Sequence, residues 1–268
     1  MRFRHYFKHN KHLRNINNYP LNNRPDFKII TNLGGGATAN IFLVLDRHNN
    51  KQIIKKYHPV IKTTTIFHEH NVLRYLNKFS HIKPFMPNHP ELIQTNSGTM
   101  YLMYSYIDGQ MAWSHQMDIL ESRSEIMLKQ YIANILNITN MLHQVNITHL
   151  DIKPENLLYC DKNNILSFVD FGVARYVDNK NPYKFEKLKT RVGTMRYAAP
   201  EIFKKQYCAT TDVFSIGKIL LYFHENGINL EKHGKELLQN MLEPDPLDRI
   251  TISESIVSLW FDHTDQIP

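Results

Sequence analysis

The chain has 268 residues, 42% of them apolar and 21% charged, the balance of a soluble globular protein with one large or two small domains. No stretch approaches the roughly 18 uninterrupted apolar residues of a membrane span, and the start, Met1-Arg2-Phe3-Arg4-His5-Tyr6-Phe7-Lys8, has charge but no apolar core of a secretory signal. Cys160 and Cys208 lack metal-ligand spacing; a disulfide between them is one reading, and two inert thiols of an intracellular chain, cytoplasmic or delivered into a host cell as an effector, is the favoured one.

The formal charge of +7 is unevenly placed. Residues 1–26 carry Arg2, Arg4, Lys8, Lys11, Arg14 and Arg24 against Asp26 alone, so most of the excess sits in a leader also rich in Asn and His. Such a leader reads as a flexible, solvated tail. A second use is contact with an anionic surface or nucleic acid, worth about 1 kcal/mol per cation near an anionic membrane.

From Phe27 the pattern becomes that of a folded domain. Residues 27–30 read as a short strand, followed by Leu33-Gly34-Gly35-Gly36-Ala37-Thr38-Ala39-Asn40-Ile41 and the apolar run 42–45. A glycine turn between strands lets backbone N–H groups approach a polyphosphate unobstructed. Residues 52–57 return as a strand, and alternation puts Ile53, Lys55 and Tyr57 on one inward face with Lys56 outward. Residues 67–79 have helical spacing, with Glu69 one turn before Leu73. A Pro-rich turn over 84–90 leads to two strands, 91–94 and 99–104, joined at Ser97-Gly98.

After residue 109 the period becomes 3.6. Leu128, Ile132, Ile135, Leu136, Thr139 and Leu142 form one stripe of a long amphipathic helix. Next comes His149-Leu150-Asp151-Ile152-Lys153-Pro154-Glu155-Asn156-Leu157-Leu158, in which Pro154 prevents a helix and places Asp151, Lys153 and Asn156 on a loop. The strand 165–169 then delivers Asp170-Phe171-Gly172, which can present a carboxylate to a metal.

The loop from His149 to Asn156 resembles the catalytic loop of protein kinases, H-R-D-x-K-x-x-N, with Leu150 in place of the arginine. Other landmarks resemble the same family in the same order. The glycine turn is similar to G-x-G-x-x-G-x-V, with Ala39 for the third glycine and Ile41 for the valine. Glu69 falls in a helix like the one whose glutamate pairs with the nucleotide lysine. Ser105, Tyr106 and Ile107 resemble the hinge beside the adenine, with Tyr104 as gatekeeper. Gly193-Thr194-Met195-Arg196-Tyr197-Ala198-Ala199-Pro200-Glu201 resembles the end of an activation segment. Asp212-Val213-Phe214-Ser215-Ile216-Gly217 resembles D-V-W-S-x-G, whose Asp braces the catalytic loop, and Arg249 stands where the family's arginine pairs with Glu201.

The resemblance implies an α+β, bilobal protein-kinase-like fold over residues 27–265: an N-lobe of antiparallel sheet and one helix (27–104), a hinge (105–109) and a mainly helical C-lobe (110–265). It implies ATP and Mg2+ as cofactors and transfer of phosphate to Ser or Thr of protein substrates. Asp151 would take the proton of the acceptor hydroxyl, Lys153 neutralise the migrating phosphoryl group, and Thr194 bridge the two. Asn156 and Asp170 would hold the metal. Leu33 to Ile41, Lys55 or Lys56, Glu69, Ser105 to Ile107 and Leu158 would contact or position the nucleotide. Gap-free counting from the glycine turn points to Lys56, strand alternation to Lys55.

Two departures have consequences. Leu150 cannot grip a phosphorylated activation-segment residue such as Thr190, which predicts an enzyme not gated in that way, although Arg175 could offer one cation. Thirty-seven positions separate Asp212 from Arg249, roughly twenty fewer than the family pattern, so a helix and loop used for docking are expected to be missing. The alternative is a pseudokinase scaffold that binds nucleotide and a partner protein.

Overall fold

The structure, a computed structural model, describes residues 14–16, 27–160, 162 and 164–262. Most of the basic leader therefore lies outside the described residues, and with it the anionic-partner reading. Within the leader, β1 (Arg14–Ile16) pairs in parallel with β5. The chain divides into two compact units, residues 1–108 with 170–172, and 109–169 with 173–268.

The first unit is built on a sheet ordered β1-β5-β6-β4-β3-β2, antiparallel throughout except for β1. Its strands are β2 (Phe27–Gly35), β3 (Ala39–Asp46), β4 (Lys51–Tyr57), β5 (Glu91–Thr95) and β6 (Met100–Ser105). Successive side chains of a strand point to opposite faces, and both faces of β4 are buried. Ile54 packs with Phe27, Val44, Ile93 and Tyr101, while Ile53, Lys55 and Tyr57 are buried on the other face. Helix α1 (Thr63–Leu76) lies against β5 and β6 and buries Ile66, Val72, Leu73 and Leu76. Burial of each such aliphatic side chain contributes about 1.5–3 kcal/mol. The helix starts four residues earlier than its apolar spacing predicts, because its first turn carries three threonines and no apolar stripe.

The second unit is mainly helical. It contains β7 (Gln110–Met111), α2 (Ala112–Ser122), α3 (Glu125–Gln144), β8 (Ile147–Thr148), β9 (Leu157–Cys160), β10 (Ile165–Phe168), β11 (Arg175–Tyr176), β12 (Glu186–Lys187) and α4 (Pro200–Phe203). After β13 (Gln206–Tyr207) come α5 (Thr210–Glu225), α6 (Lys232–Met241) and α7 (Ile252–Ile256). Helix α3 begins where Ser124 accepts the Met127 amide at 3.2 Å, and α7 carries a reciprocal capping box between Thr251 and Glu254. The predicted stripe on α3 is buried at all six positions, Leu128 to Leu142. Six residues connect α5 to α6, in keeping with the short spacing between Asp212 and Arg249. Among the described residues no helix is long and apolar enough to cross a membrane.

Candidate active site

Each unit carries one cluster of the expected site residues. In the first, the β3–β4 register pairs Ile41 with Lys55 and Asn40 with Lys56. Pleating then turns Lys55 inward, where it is 4% exposed, and leaves Lys56 only half-buried. The Lys55 ammonium donates to both carboxylate oxygens of Glu69, at 2.8 and 2.9 Å, and to Oδ1 of Asp170 at 2.9 Å. Burial alone would pull Lys55 toward losing its proton, but the charges of Glu69 and Asp170 outweigh it and hold the group above the ordinary lysine range. Burial also raises Glu69, with Lys55 opposing and Asp170 adding to the rise.

Tyr57 completes this cluster. Its hydroxyl donates to Oε2 of Glu69 at 2.7 Å, so the carboxylate is fixed from two sides. Alternation places Tyr57 on the face of Lys55, but nothing in the sequence indicates its hydrogen bond to Glu69. Tyr104, 8% exposed, sits on β6 opposite Ile53, and burial pushes its phenol up. Asp170 has a φ of +61°, a left-handed conformation that Asp tolerates better than most residues, and its side chain is 42% exposed.

The glycine turn joins β2 to β3. Gly34 lies at φ +110° with open space around it, a conformation closed to residues with a Cβ. Leu33 and Gly34 to Thr38 are exposed, Ala39 is buried, and Asn40 and Ile41 are half-buried. The loop is closed by a bond from the Gly36 amide to the Ala39 carbonyl at 2.9 Å, and the His58 amide reaches the Thr38 carbonyl at 2.9 Å. Ser105, Tyr106 and Ile107 are half-buried; the amides of Ser105 and Tyr106 donate to the carbonyls of Asn88 and Lys51.

In the second unit, Asp151 sits among three donors. Thr194 Oγ1 donates to its Oδ1 at 2.8 Å, Asn156 Nδ2 to its Oδ2 at 3.0 Å, and Lys153 Nζ lies 3.0 Å from Oδ2. Lys153 also donates to Thr194 Oγ1 at 2.6 Å, so Thr194 links the Asp151 carboxylate to the Lys153 ammonium. Asn156 donates a second bond to the Asp151 carbonyl at 2.9 Å. Both bonds are made by the nitrogen end of the amide. Leu158 is half-buried in β9.

Beneath this loop lies Asp212, fully buried at the start of α5. Its carboxylate accepts from His143 Nε2 (2.9 Å), Thr148 Oγ1 (2.7 Å) and the backbone amides of His149 (2.9 Å) and Leu150 (2.8 Å). Burial opposes ionisation, but these donors prevail and hold Asp212 below the usual carboxylate range. Four donors from residues 143–150 thus converge on one acceptor, which fixes the backbone that presents Asp151. His143 and Thr148 as parts of this brace went unrecognised in the sequence.

Leu150 has φ +63° and is 4% exposed. It packs with Leu188, Ile202 and Tyr207, flanked by Val173, Val192 and Ala198. The segment carrying Leu188 is tied down by the β12–β13 pair and by the Leu188 amide donating to the Lys205 carbonyl at 2.8 Å. Gly193 approaches so closely that a Cβ there would lie 2.5 Å from the Leu150 carbonyl, at φ +78°. Thr190 is exposed. Arg175 belongs to β11, where it donates to the Ala174 carbonyl, and burial pulls its guanidinium down.

Glu201 and Arg249 form a buried bidentate pair at 2.8 and 3.0 Å. The remaining Arg249 donors go to the carbonyls of Thr210, Glu243 and Pro244. The pairing that the sequence resemblance implied is present.

With this geometry in view, comparison with known proteins is decisive. The protein kinase domain family matches residues 27–229. This chain belongs to the protein kinase family. The kinase domain is 29% identical over 220 residues to calcium-dependent protein kinase 6 of Plasmodium berghei, covering 80% of this chain and 14% of that protein. It is 30% identical over 205 residues to cAMP-dependent protein kinase type 3 of Saccharomyces cerevisiae, covering 74% and 47%. With serine/threonine-protein kinase sgk-1 of Caenorhabditis elegans it shares 32% identity over 206 residues, covering 73% and 41%. The chain thus spans between about a seventh and about half the length of these relatives.

Proposed function

We propose that the chain is an active Ser/Thr protein kinase that transfers the γ-phosphate of ATP to a protein hydroxyl. The observation that carries this reading is the set Asp151, Lys153, Thr194 and Asn156, joined by hydrogen bonds of 2.6–3.0 Å and mounted on the Asp212 brace. Phosphoryl transfer demands positioning and charge neutralisation more than covalent chemistry. Asp151 orients the acceptor hydroxyl and takes its proton. Lys153 offsets the negative charge of the phosphoryl group in transit. Thr194 holds both in register, and its place in a Gly-Thr pair supports a Ser/Thr acceptor. Lys55 binds the nucleotide phosphates, with Glu69 and Tyr57 fixing its position.

An amide oxygen at Asn156 and a carboxylate at Asp170 are hard donors of the kind magnesium takes alongside phosphate oxygens, so the residues fit that ion. When bound it supplies further neutralisation of phosphate charge. The intact set of charged and hydrogen-bonded groups favours catalysis over the pseudokinase alternative. The cluster around Leu150 favours an activation segment held by apolar packing instead of by a phosphate–arginine pair, which leaves activity independent of Thr190 phosphorylation.

The test is incubation of the protein with labelled ATP, magnesium and generic protein substrates. Asp151→Asn is expected to lower transfer roughly a hundredfold or more, and Thr190→Ala to leave it within a factor of two or three. Equal losses in both variants would sink the ungated reading. Wild-type transfer no higher than that of Asp151→Asn would sink the catalytic one.

A further inference from the structure

The stretch of the second unit that passes Asp151 is unevenly charged. From residue 184 to 205 the chain has seven Lys and Arg against Glu186 and Glu201. Glu201 is taken by the buried Arg249, and Lys184 pairs with Asp178 at 3.2 Å. The other six cations, Lys187, Lys189, Arg191, Arg196, Lys204 and Lys205, are all exposed. Among the described residues none of the six takes part in an ion pair. The fold gathers them. The β12–β13 register sets Lys187 opposite Gln206, and the Leu188 amide donates to the Lys205 carbonyl at 2.8 Å, so Lys187 and Lys205 are neighbours. Arg191 lies over the Phe203 ring at 5.5 Å, beside Lys204. Three acids lie near this set: half-buried Glu186, Asp245 in a hollow with Lys204, and exposed Glu155 near Tyr197, over whose ring Arg196 sits at 5.9 Å. Against six cations they leave the face positive.

The same segment runs against the catalytic carboxylate. A Cβ at Gly193 would lie 3.7 Å from Asp151 Oδ1. Arg191 is two residues and Lys189 four residues before Gly193, so their backbones lie within about 14 Å of it. An extended peptide advances about 3.3 Å per residue, which brings side chains up to about four residues from an acceptor hydroxyl within reach of these cations.

We propose that the protein acceptor of this kinase is acidic, with its Asp and Glu side chains held by Lys187, Lys189, Arg191 and Lys205 while its hydroxyl is at Asp151. This substrate class rests on the Ser/Thr transfer proposed above. Cations crowded on one face repel one another; an anionic partner relieves that repulsion and a basic one adds to it. An exposed ion pair is weak by itself, but three or four acting together are worth roughly tenfold in affinity. The cations belong to the stretch that carries Thr194, itself bonded to Asp151, so they act on whatever presents its hydroxyl there. That favours a protein acceptor over an anionic membrane.

The experiment compares three fluorescein-labelled peptides that carry a single serine flanked on both sides by glutamate, by alanine or by lysine. Fluorescence anisotropy with the full chain, without nucleotide, measures binding; labelled ATP with magnesium measures transfer. The glutamate peptide is expected to bind roughly tenfold or more tightly than the lysine peptide, with the difference fading between about 0.05 and 0.5 M salt. The order in kcat/KM is the same. Lys187→Ala combined with Lys189→Ala removes most of the preference. Lys232→Ala combined with Lys235→Ala takes two exposed cations from α6 and retains it, and an unchanged melting temperature verifies that both variants fold. Equal binding of the three peptides, or tighter binding of the lysine peptide, overturns the inference. So does a preference that survives the Lys187 and Lys189 changes or is lost equally in the α6 variant, and so does binding to phosphatidylserine vesicles without discrimination among the peptides. Transfer that is measurable but indifferent to peptide charge overturns it as well and leaves the proposed activity standing. Acid-selective binding without transfer to any peptide overturns the activity instead and leaves the acid-binding face in place.

Discussion

Replacement of Leu150 tests how the activation segment is held. The side chain is 4% exposed and packs on Leu188, Ile202 and Tyr207, so Leu150→Ala loses both transfer energy and packing, about 2–5 kcal/mol for a buried leucine. The backbone adds a second, opposite handle. At φ +63° a residue with a Cβ carries roughly 1–2 kcal/mol of strain that glycine does not, whereas glycine normally loses to alanine by about 0.5–1 kcal/mol through unfolded-chain entropy. Leu150→Gly is therefore expected to be as stable as Leu150→Ala or up to ~1.5 kcal/mol more stable, the reverse of the usual order. Urea denaturation gives the two free energies, and hydrogen exchange at the Leu188 and Val192 amides reports release of the segment. In both variants that exchange should quicken and substrate phosphorylation fall, while the Leu150 amide still donates to Asp212. A loss below about 1 kcal/mol in the alanine variant, or a glycine variant clearly less stable than the alanine one, refutes the reasoning.

Other perturbations follow from the same geometry. Glu201→Ala leaves the fully buried Arg249 uncompensated, a loss of about 3–5 kcal/mol that thermal denaturation reads as a fall on the order of 10 °C; a shift of only a degree or two contradicts the assignment. Asp212 is depressed in the folded chain, so its contribution is complete above about pH 4 and disappears as pH falls through its lower folded value. Wild type should accordingly lose stability over that acid range more steeply than Asp212→Asn, and parallel curves count against the brace. Thr194→Val removes hydrogen bonds to two charged groups and should lower kcat ~10- to 100-fold with little change in the KM for ATP; a change confined to KM argues that Thr194 acts on nucleotide binding instead. Tyr57→Phe deletes one of the donors to Glu69 and should weaken nucleotide binding by about tenfold, from a loss of ~1.5 kcal/mol, which calorimetry with an ATP analogue measures.

The sequence by itself determined whatever depends on local chain chemistry. The glycine run opened the β2–β3 turn, and period-2 alternation selected the face that carries Lys55. The 3.6-residue stripe located α3. These signals are legible because backbone sterics and periodic burial act over a few residues. Pro154 predicts a loop for Asp151, Lys153 and Asn156; instead it opens a short 3-10 turn, Pro154–Asn156, that carries Asn156, because a proline at the first helical position lacks only an N–H that would be unpaired there anyway. Family resemblance then supplied the partners of several groups, Glu201 with Arg249 among them.

Tertiary structure decided the rest, because it turns on groups far apart in the chain. The four donors gathered on Asp212 lie 62–69 positions away, and no local pattern announces such convergence. Tyr57 reads as one more inward strand residue until the fold brings its hydroxyl to Glu69. Leu150, taken in sequence, marks only a missing arginine. In the fold it belongs to an apolar cluster with residues 188, 202 and 207 and is only 4% exposed. What held the activation segment could not be read from residue 150 alone; it became visible only with the neighbours that the fold assembles around it.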